Sequence, residues 1–180
     1  RVILSLGRVD KYKGIIELIH SFSLSAGKND VLLIAGKCSN KKYANEINMS
    51  IRNISKNGIR VVFINKFIDD DELQVFFNSS DAAVINYKDT PMNPGSLIMA
   101  MGFGCTIIAP NLESISEIVP HESYFGFKQN DTLSFNNAIK SFIETENINY
   151  KSELCRNRIL SNHNKKIINK KIISFYNEIK

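Results

Sequence analysis

The chain has 180 residues, 43% hydrophobic and 23% charged, a composition that supports one sizeable core and excludes a long disordered chain. No apolar run approaches the roughly 18 residues of a membrane span and no signal peptide is visible, while the three scattered cysteines (Cys38, Cys105, Cys155) lack disulfide-framework and zinc-ligand spacing, which fits a reducing compartment. A net charge of +5, from 23 basic and 18 acidic residues, favours anionic partners such as a nucleotide, a nucleic acid or an anionic membrane surface without choosing among them.

Strand-like and helix-like segments alternate along the chain. Val2-Leu6 reads as a strand; because it begins directly after Arg1, the chain reads as a piece of a longer protein cut at a domain boundary. Between Gly14 and Ala26, Ile15, Ile16, Leu18, Ile19 and Phe22 recur at helical spacing and predict an amphipathic helix. Val31-Ala35 is a second strand, Tyr43-Ser55 a weaker helix and Ile59-Ile64 a third strand after an Asn57-Gly58 stop. Asp69 followed by Glu72 is a capping-box pattern that opens a helix to Asn78. Ala82-Ile85 is the fourth strand, Ser96-Phe103 a short helix after Pro94-Gly95, and Thr106-Ala109 the fifth strand. A helical turn at Ile115-Val119, a short strand at Tyr124-Phe127, a helix over Asp131-Glu144 and a Lys/Asn-rich helical tail from Lys151 complete the chain.

The runs VLLIA, AAVI and TIIA are apolar throughout, as strands of a parallel sheet covered by helices on both faces must be. Strict alternation with short connections predicts an α/β fold, a doubly wound parallel six-stranded Rossmann-like sheet with a C-terminal helical tail. Residues 1–145 form its main domain in this reading, and residues 146–180 the tail, packed on it or directed toward a missing N-terminal domain. Ligands of such sheets bind at the carboxyl ends of the strands, which directs attention to four loops: Gly7-Lys13, Gly36-Lys42, Asn65-Asp69 and Asn86-Gly95.

In the first loop, Gly7 permits a sharp turn and close backbone approach. Arg8 offers a planar fork for phosphate oxygens, Lys13 a point charge, and the helix opening near Gly14 its backbone N–H groups. Together they suit a diphosphate; equally, Arg8 and Lys13 read as solvated loop cations. Neither a Walker A nor a Gly-x-Gly-x-x-Gly pattern is present. In the loop Asn86-Ser96 the small residues leave the first N–H groups of the next helix open to an anion. Taken alone, that segment reads more simply as an ordinary helix start with Ser96 as its cap. Asn65-Lys66-Phe67-Ile68 could hold a base beside Lys66 or Phe67, although Phe67 by itself reads better as a core residue at a plain strand exit.

Other candidates are bland. His20, His121 and His163 are far apart; His20, near the apolar face of its helix, reads as structural, and no cluster has metal-ligand spacing, so no metal site is expected. Cys105 reads as buried, Glu113 and Glu117 as a solvated first turn, and Lys165, Lys166, Lys170 and Lys171 as a solvated face, with anionic lipid as the alternative.

The ordered fragments resemble a known family. Leu6-Gly7-Arg8, Lys13-Gly14, Leu33-Ile34-Ala35-Gly36, Val61-Val62-Phe63-Ile64 and Asp70-Asp71-Glu72-Leu73 are followed by Ser80-Asp81-Ala82-Ala83-Val84 and Asn86-Tyr87. Then come Asn93-Pro94-Gly95-Ser96-Leu97-Ile98-Met99-Ala100-Met101-Gly102-Phe103-Gly104 and Thr106-Ile107-Ile108-Ala109-Pro110. Each is weak; the set, in order, is similar to the C-terminal donor-binding domain of GT-B-fold, group 1 (retaining, family 4-like) glycosyltransferases. The resemblance implies a hexosyltransferase using a UDP- or GDP-linked sugar as donor, with no other cofactor, and a bacterial polysaccharide or lipid-linked acceptor (capsule, O-antigen or exopolysaccharide). Arg8 and Lys13 would be catalytic, on the donor diphosphate. Gly7, Gly36, Lys66, Phe67, Asn93, Gly95, Ser96 and Leu97 would bind the donor, with the base near Lys66-Phe67.

The resemblance also implies an acceptor site in a missing N-terminal domain, an inactive isolated fragment, and a cytoplasmic location with peripheral contact at the inner face of the plasma membrane. Two glutamates that many members carry around this helix are replaced here by Pro91 and Met99, while Asn65 stands where glycine is common and Asn86 where proline is common. That departure keeps a non-catalytic pseudo-transferase in play. A sugar-nucleotide epimerase-like domain lacks a convincing catalytic set, and nucleic-acid binding lacks aromatic residues interleaved with the basic ones, so no nucleic-acid partner is expected.

Overall fold

The computed structural model describes residues 1–88 and 95–178. Its elements are β1 (Val2–Leu6), α1 (Ile15–Ser25), β2 (Val31–Ala35), α2 (Lys41–Ser55), β3 (Arg60–Ile64), α3 (Asp70–Asn78), β4 (Ala82–Val84) and α4 (Gly95–Gly102). They continue with β5 (Thr106–Pro110), α5 (Glu113–Ser116), β6 (Tyr124–Phe127), α6 (Thr132–Glu144), α7 (Asn149–Asn162) and α8 (Lys165–Glu178). The strands form one six-stranded sheet in the order β3-β2-β1-β4-β5-β6, parallel at every pairing. This is the doubly wound α/β class that the alternation predicts.

The chain winds outward from β1 to β3, then returns past β1 to begin β4 on its other side. That reversal opens a crevice between the carboxyl ends of β1 and β4, where such sheets bind ligands. Leu6 pairs with Ala35 and Ala35 with Ile64, so β1, β2 and β3 end level and Gly7, Gly36 and Asn65 emerge side by side.

Each face of the sheet carries its own core, because successive strand residues point to opposite faces. Ile3, Leu32, Ile34 and Phe127 pack with Phe22 of α1, Ile47 of α2 and Phe142 of α6. Leu4, Ala35, Ala83 and Ile107 pack with Phe77 of α3, Met101 of α4 and Cys155 of α7. Helix starts follow local chemistry: Asn40 accepts from the Tyr43 N–H at 3.0 Å, Asp131 from the Ser134 N–H at 2.9 Å, and Glu72 from the Asp69 N–H at 3.3 Å. These bonds satisfy N–H groups that a helix end would otherwise leave orphaned.

Two expectations shift. The turn expected at Ile115-Val119 starts earlier, at Glu113. His20 is exposed rather than structural. The tail divides into a helix that buries Cys155 and Ile159 and a last helix, α8, in which no residue is buried. Lys165, Lys166, Lys170 and Lys171 are exposed on it. Among the described residues, no helix is long and apolar enough to cross a membrane.

Candidate functional site

A cleft of about 880 Å³ opens at the carboxyl ends of β1 and β2, facing the start of α4. Its floor is backbone. Gly7 has φ 102° and Gly36 φ 145°, conformations that L side chains rarely adopt. Their N–H groups are tied to the neighbouring strand ends, Gly7 to the Ala35 carbonyl at 2.9 Å and Gly36 to the Ile64 carbonyl at 3.0 Å. A Cβ on Gly36 would lie 2.0 Å from the Gly7 carbonyl oxygen, and one on Gly7 would lie 3.0 Å from Lys13 Nζ. The glycines are there because two chain segments and an ammonium group occupy the space a side chain would need.

Lys13 is drawn into this floor by a tight turn. Asp10 accepts from the Lys11 N–H at 2.7 Å, the turn Lys11–Lys13 closes on Gly14, and the Lys13 side chain folds back beneath Gly7. Its ammonium donates to the Leu6 carbonyl at 2.6 Å and sits 5.4 Å from the centre of the Tyr87 ring. Lys13 is only 6% exposed, and among the described residues no carboxylate lies within ion-pair distance of it. Burial, then the nearby Arg8 charge, brings its pKa down to about 8. Arg8 stands at the rim, its Nε 4.0 Å from Asp10 Oδ2 and its guanidinium 5.8 Å from the centre of the Tyr12 ring. The structure thus brings both expected cations to one cleft, one enclosed and one exposed.

The far side of the floor is the first turn of α4. Gly95 is exposed, and among the described residues nothing lies within 4 Å of a Cβ placed on it. Ser96 is not the helix cap: helix geometry begins at Gly95, and the Ser96 hydroxyl pairs with the Tyr87 hydroxyl at 3.2 Å. The Leu97 side chain is fully buried in the core, so what it can offer the cleft is its backbone in the first turn of α4, the part of it that the family resemblance assigns to the donor. Asn93 and Pro91 lie outside the described residues.

The third loop corrects the reading of Phe67 as core. Phe67, read by itself as a core residue, is 69% exposed and lines the cleft. Ile68 takes the buried position instead. Lys66, assigned to the base, does not line the cleft; its ammonium turns to Glu72 Oε1 at 2.5 Å and holds that carboxyl below its usual range. Phe67, Ile68, Leu73 and Met99 add an apolar lining to the cleft that also holds Arg8, Lys13, Lys37 and Asp70. Cations and an exposed aromatic ring in one cleft fit an anion that carries an aromatic group.

The family profile described as Glycosyl transferases group 1 matches residues 1–165. The chain belongs to that family. No curated protein matches the sequence significantly. Sucrose-phosphate synthase from Thermosynechococcus elongatus superposes with a TM-score of 0.81 at 21% identity, covering 99% of this chain and 45% of that one. HepE of Anabaena, crystallised in complex with UDP-glucose, superposes with a TM-score of 0.81 at 15% identity, over 98% of this chain and 48% of that one. The C-terminal domain of LpcC, a group 1 family protein from Francisella tularensis, gives 0.79 at 16% identity, over 91% of this chain and 86% of that domain. The sheet is thus of the Rossmann-like type that forms the C-terminal half of GT-B proteins, and this chain spans about half the length of the first and second of these neighbours.

Further side chains of this group 1 chain brace the loops around the cleft. Tyr87 touches both Lys13 and Ser96, and Tyr12 packs edge-on against it with centroids 5.4 Å apart. Asn86 donates to the Gly14 carbonyl at 3.3 Å, and a Cβ on Gly14 would come within 2.5 Å of its Nδ2. Asn65 accepts from the Cys38 N–H at 2.8 Å. The sequence signal for the two asparagines is their departure from glycine and proline at strand exits; each ties its own strand exit to a neighbouring loop. For Tyr87 the signal is its place just past the fourth strand, in the Asn86-Tyr87 pair that belongs to the family-like fragments.

Proposed function

We propose that this chain is the donor-binding half of a nucleotide-sugar-dependent glycosyltransferase, and that the cleft holds the nucleoside diphosphate of a UDP- or GDP-linked sugar. The carrying observation is Lys13. A buried ammonium with no carboxylate within ion-pair distance among the described residues is expensive, and a ligand anion is the natural compensation. The first turn of α4 adds N–H donors and the positive end of its dipole. Phe67 and Met99 then suit the nucleoside, and the two neighbours solved with UDP-glucose or as sugar-phosphate synthases are in keeping with that assignment.

Catalysis in this reading is electrostatic. As the glycosidic bond breaks, the leaving diphosphate gains negative charge; Arg8, Lys13 and the α4 turn, already in place, stabilise it. Lys13 enters that step protonated, because the arriving anion raises its proton affinity. We further assign the acceptor, polysaccharide or lipid-linked, to chain beyond these residues, with sugar transfer retaining in stereochemistry and occurring at the cytoplasmic side of the membrane. In the intact protein, Lys13→Ala and Arg8→Ala each lower kcat/KM roughly a hundredfold, the scale of one lost oxyanion-type contact of about 3 kcal/mol. Transfer rates unchanged in both variants would refute the assignment. A second reading, a module that keeps the fold without donor chemistry, is favoured by Met99 standing where many members of the family carry a glutamate. Wild-type protein that binds nucleotide but transfers no sugar from any donor would select it.

A further inference from the structure

Between β4 and α4 the chain passes through a tightly held point. The Tyr87 carbonyl accepts from Gln129 Nε2 at 2.9 Å, and the Lys88 N–H donates to the Tyr12 carbonyl at 2.8 Å. Lys88 is also ion-paired with Glu17 of α1. Held in this way, the Tyr87 ring faces the Lys13 ammonium at 5.4 Å while its hydroxyl reaches Ser96 Oγ at 3.2 Å. The two anion-binding elements, the loop after β1 and the first turn of α4, belong to different parts of the chain and need a common reference. We propose that Tyr87 is a positioning residue that sets the Lys13 ammonium and the α4 first turn at one fixed spacing, the ring holding the cation and the hydroxyl holding Ser96. The inference rests on the donor-site reading.

The chemistry of the side chain suits the task. An aromatic face attracts a cation without neutralising it, so Lys13 keeps its full charge for the ligand, which a carboxylate in the same place would cancel. Burial pushes the Tyr87 phenol up from its usual range, so the hydroxyl stays protonated and can bond Ser96 across the working pH range. Other charges around Lys13 are Arg8 and Asp10 on its own loop, paired at 4.0 Å, Lys37 and Asp70 in the same cleft, and Glu17, engaged by Lys88. Tyr12 supplies a second phenol beside the Tyr87 ring.

The test is calorimetric titration of the intact protein with UDP, GDP and ADP from pH 7 to 9.5, in two buffers of different ionisation enthalpy. The diphosphate, its last pKa being about 6, is almost fully ionised above about pH 7.5, and the adenine of ADP does not titrate up to pH 9.5. Proton uptake on ADP binding above about pH 7.5, and on UDP or GDP binding below the ionisation of their bases, therefore reports the protein. Tyr87→Phe keeps the ring and loses the hydroxyl: affinity falls about threefold to tenfold with the pH profile of proton uptake unmoved. Ser96→Ala gives a similar loss, and the double variant is no weaker than either single one, because both remove the same bond. Tyr87→Leu removes the ring, and the onset of proton uptake moves about half a unit to one unit lower. Circular dichroism checks folding; if Tyr87→Leu unfolds, the Tyr87→Phe and Ser96→Ala cycle decides alone. A Tyr87→Leu profile identical to wild type, or multiplying losses in the double variant, overturns the positioning role while leaving the donor site standing. Failure of the wild type to bind all three nucleotides overturns both.

Discussion

The anion-binding and apolar linings of the cleft are built on different principles. In the first, Gly7, Gly36, Lys13, Tyr87 and Ser96 are locked to one another by backbone hydrogen bonds and by contacts that leave no room for a Cβ. In the second, Phe67 and Met99 project from a strand exit and a helix, and Phe67 is largely exposed. Charge stabilisation demands fixed geometry, because donors that must reorganise when charge develops forfeit much of their value. Apolar contact with a flat ring is tolerant of small displacements. The floor of the cleft is therefore expected to be intolerant of change, while the apolar lining is where nucleoside preference is set.

The largest effect that would break this contrast is at Gly36. Gly36→Ala places a Cβ 2.0 Å from the Gly7 carbonyl at a backbone angle unsuited to alanine, and is expected to destabilise by at least about 3 kcal/mol in chemical denaturation. A variant as stable as wild type would show the floor to be soft.

Next in size is Lys13→Met. The Lys13 pKa of about 8 lies below the unfolded value, so the unfolded chain binds more protons between about pH 8 and 10.5 and stability rises with pH across that window. Below pH 8 the full penalty of burying the charge, on the order of 3 kcal/mol, is present. Loss of a partner for the Leu6 carbonyl takes back about 1 kcal/mol. Lys13→Met is thus expected to be more stable than wild type by about 2 kcal/mol at pH 7, with the gap closing as pH rises and wild type slightly the more stable by pH 10.5. Such a gain in stability at the expense of ligand affinity is the usual signature of a functional charge. Denaturant titrations at pH 7, 9 and 10.5 measure it.

How much of this was legible in the sequence follows from the same contrast. Strands buried on both faces announce themselves as unbroken apolar runs, as VLLIA, AAVI and TIIA do for β2, β4 and β5, and the other three strands stand where short β-type runs predict them. The Asp69/Glu72 cap was equally local. Arg8, Lys13, Gly7, Gly36 and Gly95 reach the cleft because strand order and loop position bring them there. Phe67 was misplaced because β3 is the edge strand, where a run of apolar residues outlasts the core that covers it. That the Lys66 ammonium pairs with Glu72 of α3 is not legible in the sequence, since a charge there does not say which neighbour will claim it. Tyr87 shows in the sequence only as half of the family-like Asn86-Tyr87 pair, because its two contacts, to Lys13 and Ser96, are made across the fold.

Two smaller effects sharpen the comparison in the apolar lining. Phe67→Ala should weaken binding of a nucleoside diphosphate about tenfold, from the lost aromatic contact with the base, while leaving inorganic pyrophosphate unaffected; equal losses for both would place Phe67 with the anion. Lys66→Ala should change neither affinity nor stability by more than about 0.5 kcal/mol, since exposed ion pairs contribute little.

The central claim is that Lys13 and the α4 first turn together hold a diphosphate. It is tested most directly by titrating wild-type protein and Lys13→Ala with UDP, GDP and ADP at low and high salt. The account predicts saturable binding of at least one of the three by wild type, weakened by salt and lost in Lys13→Ala. Binding of equal strength in both proteins would contradict it.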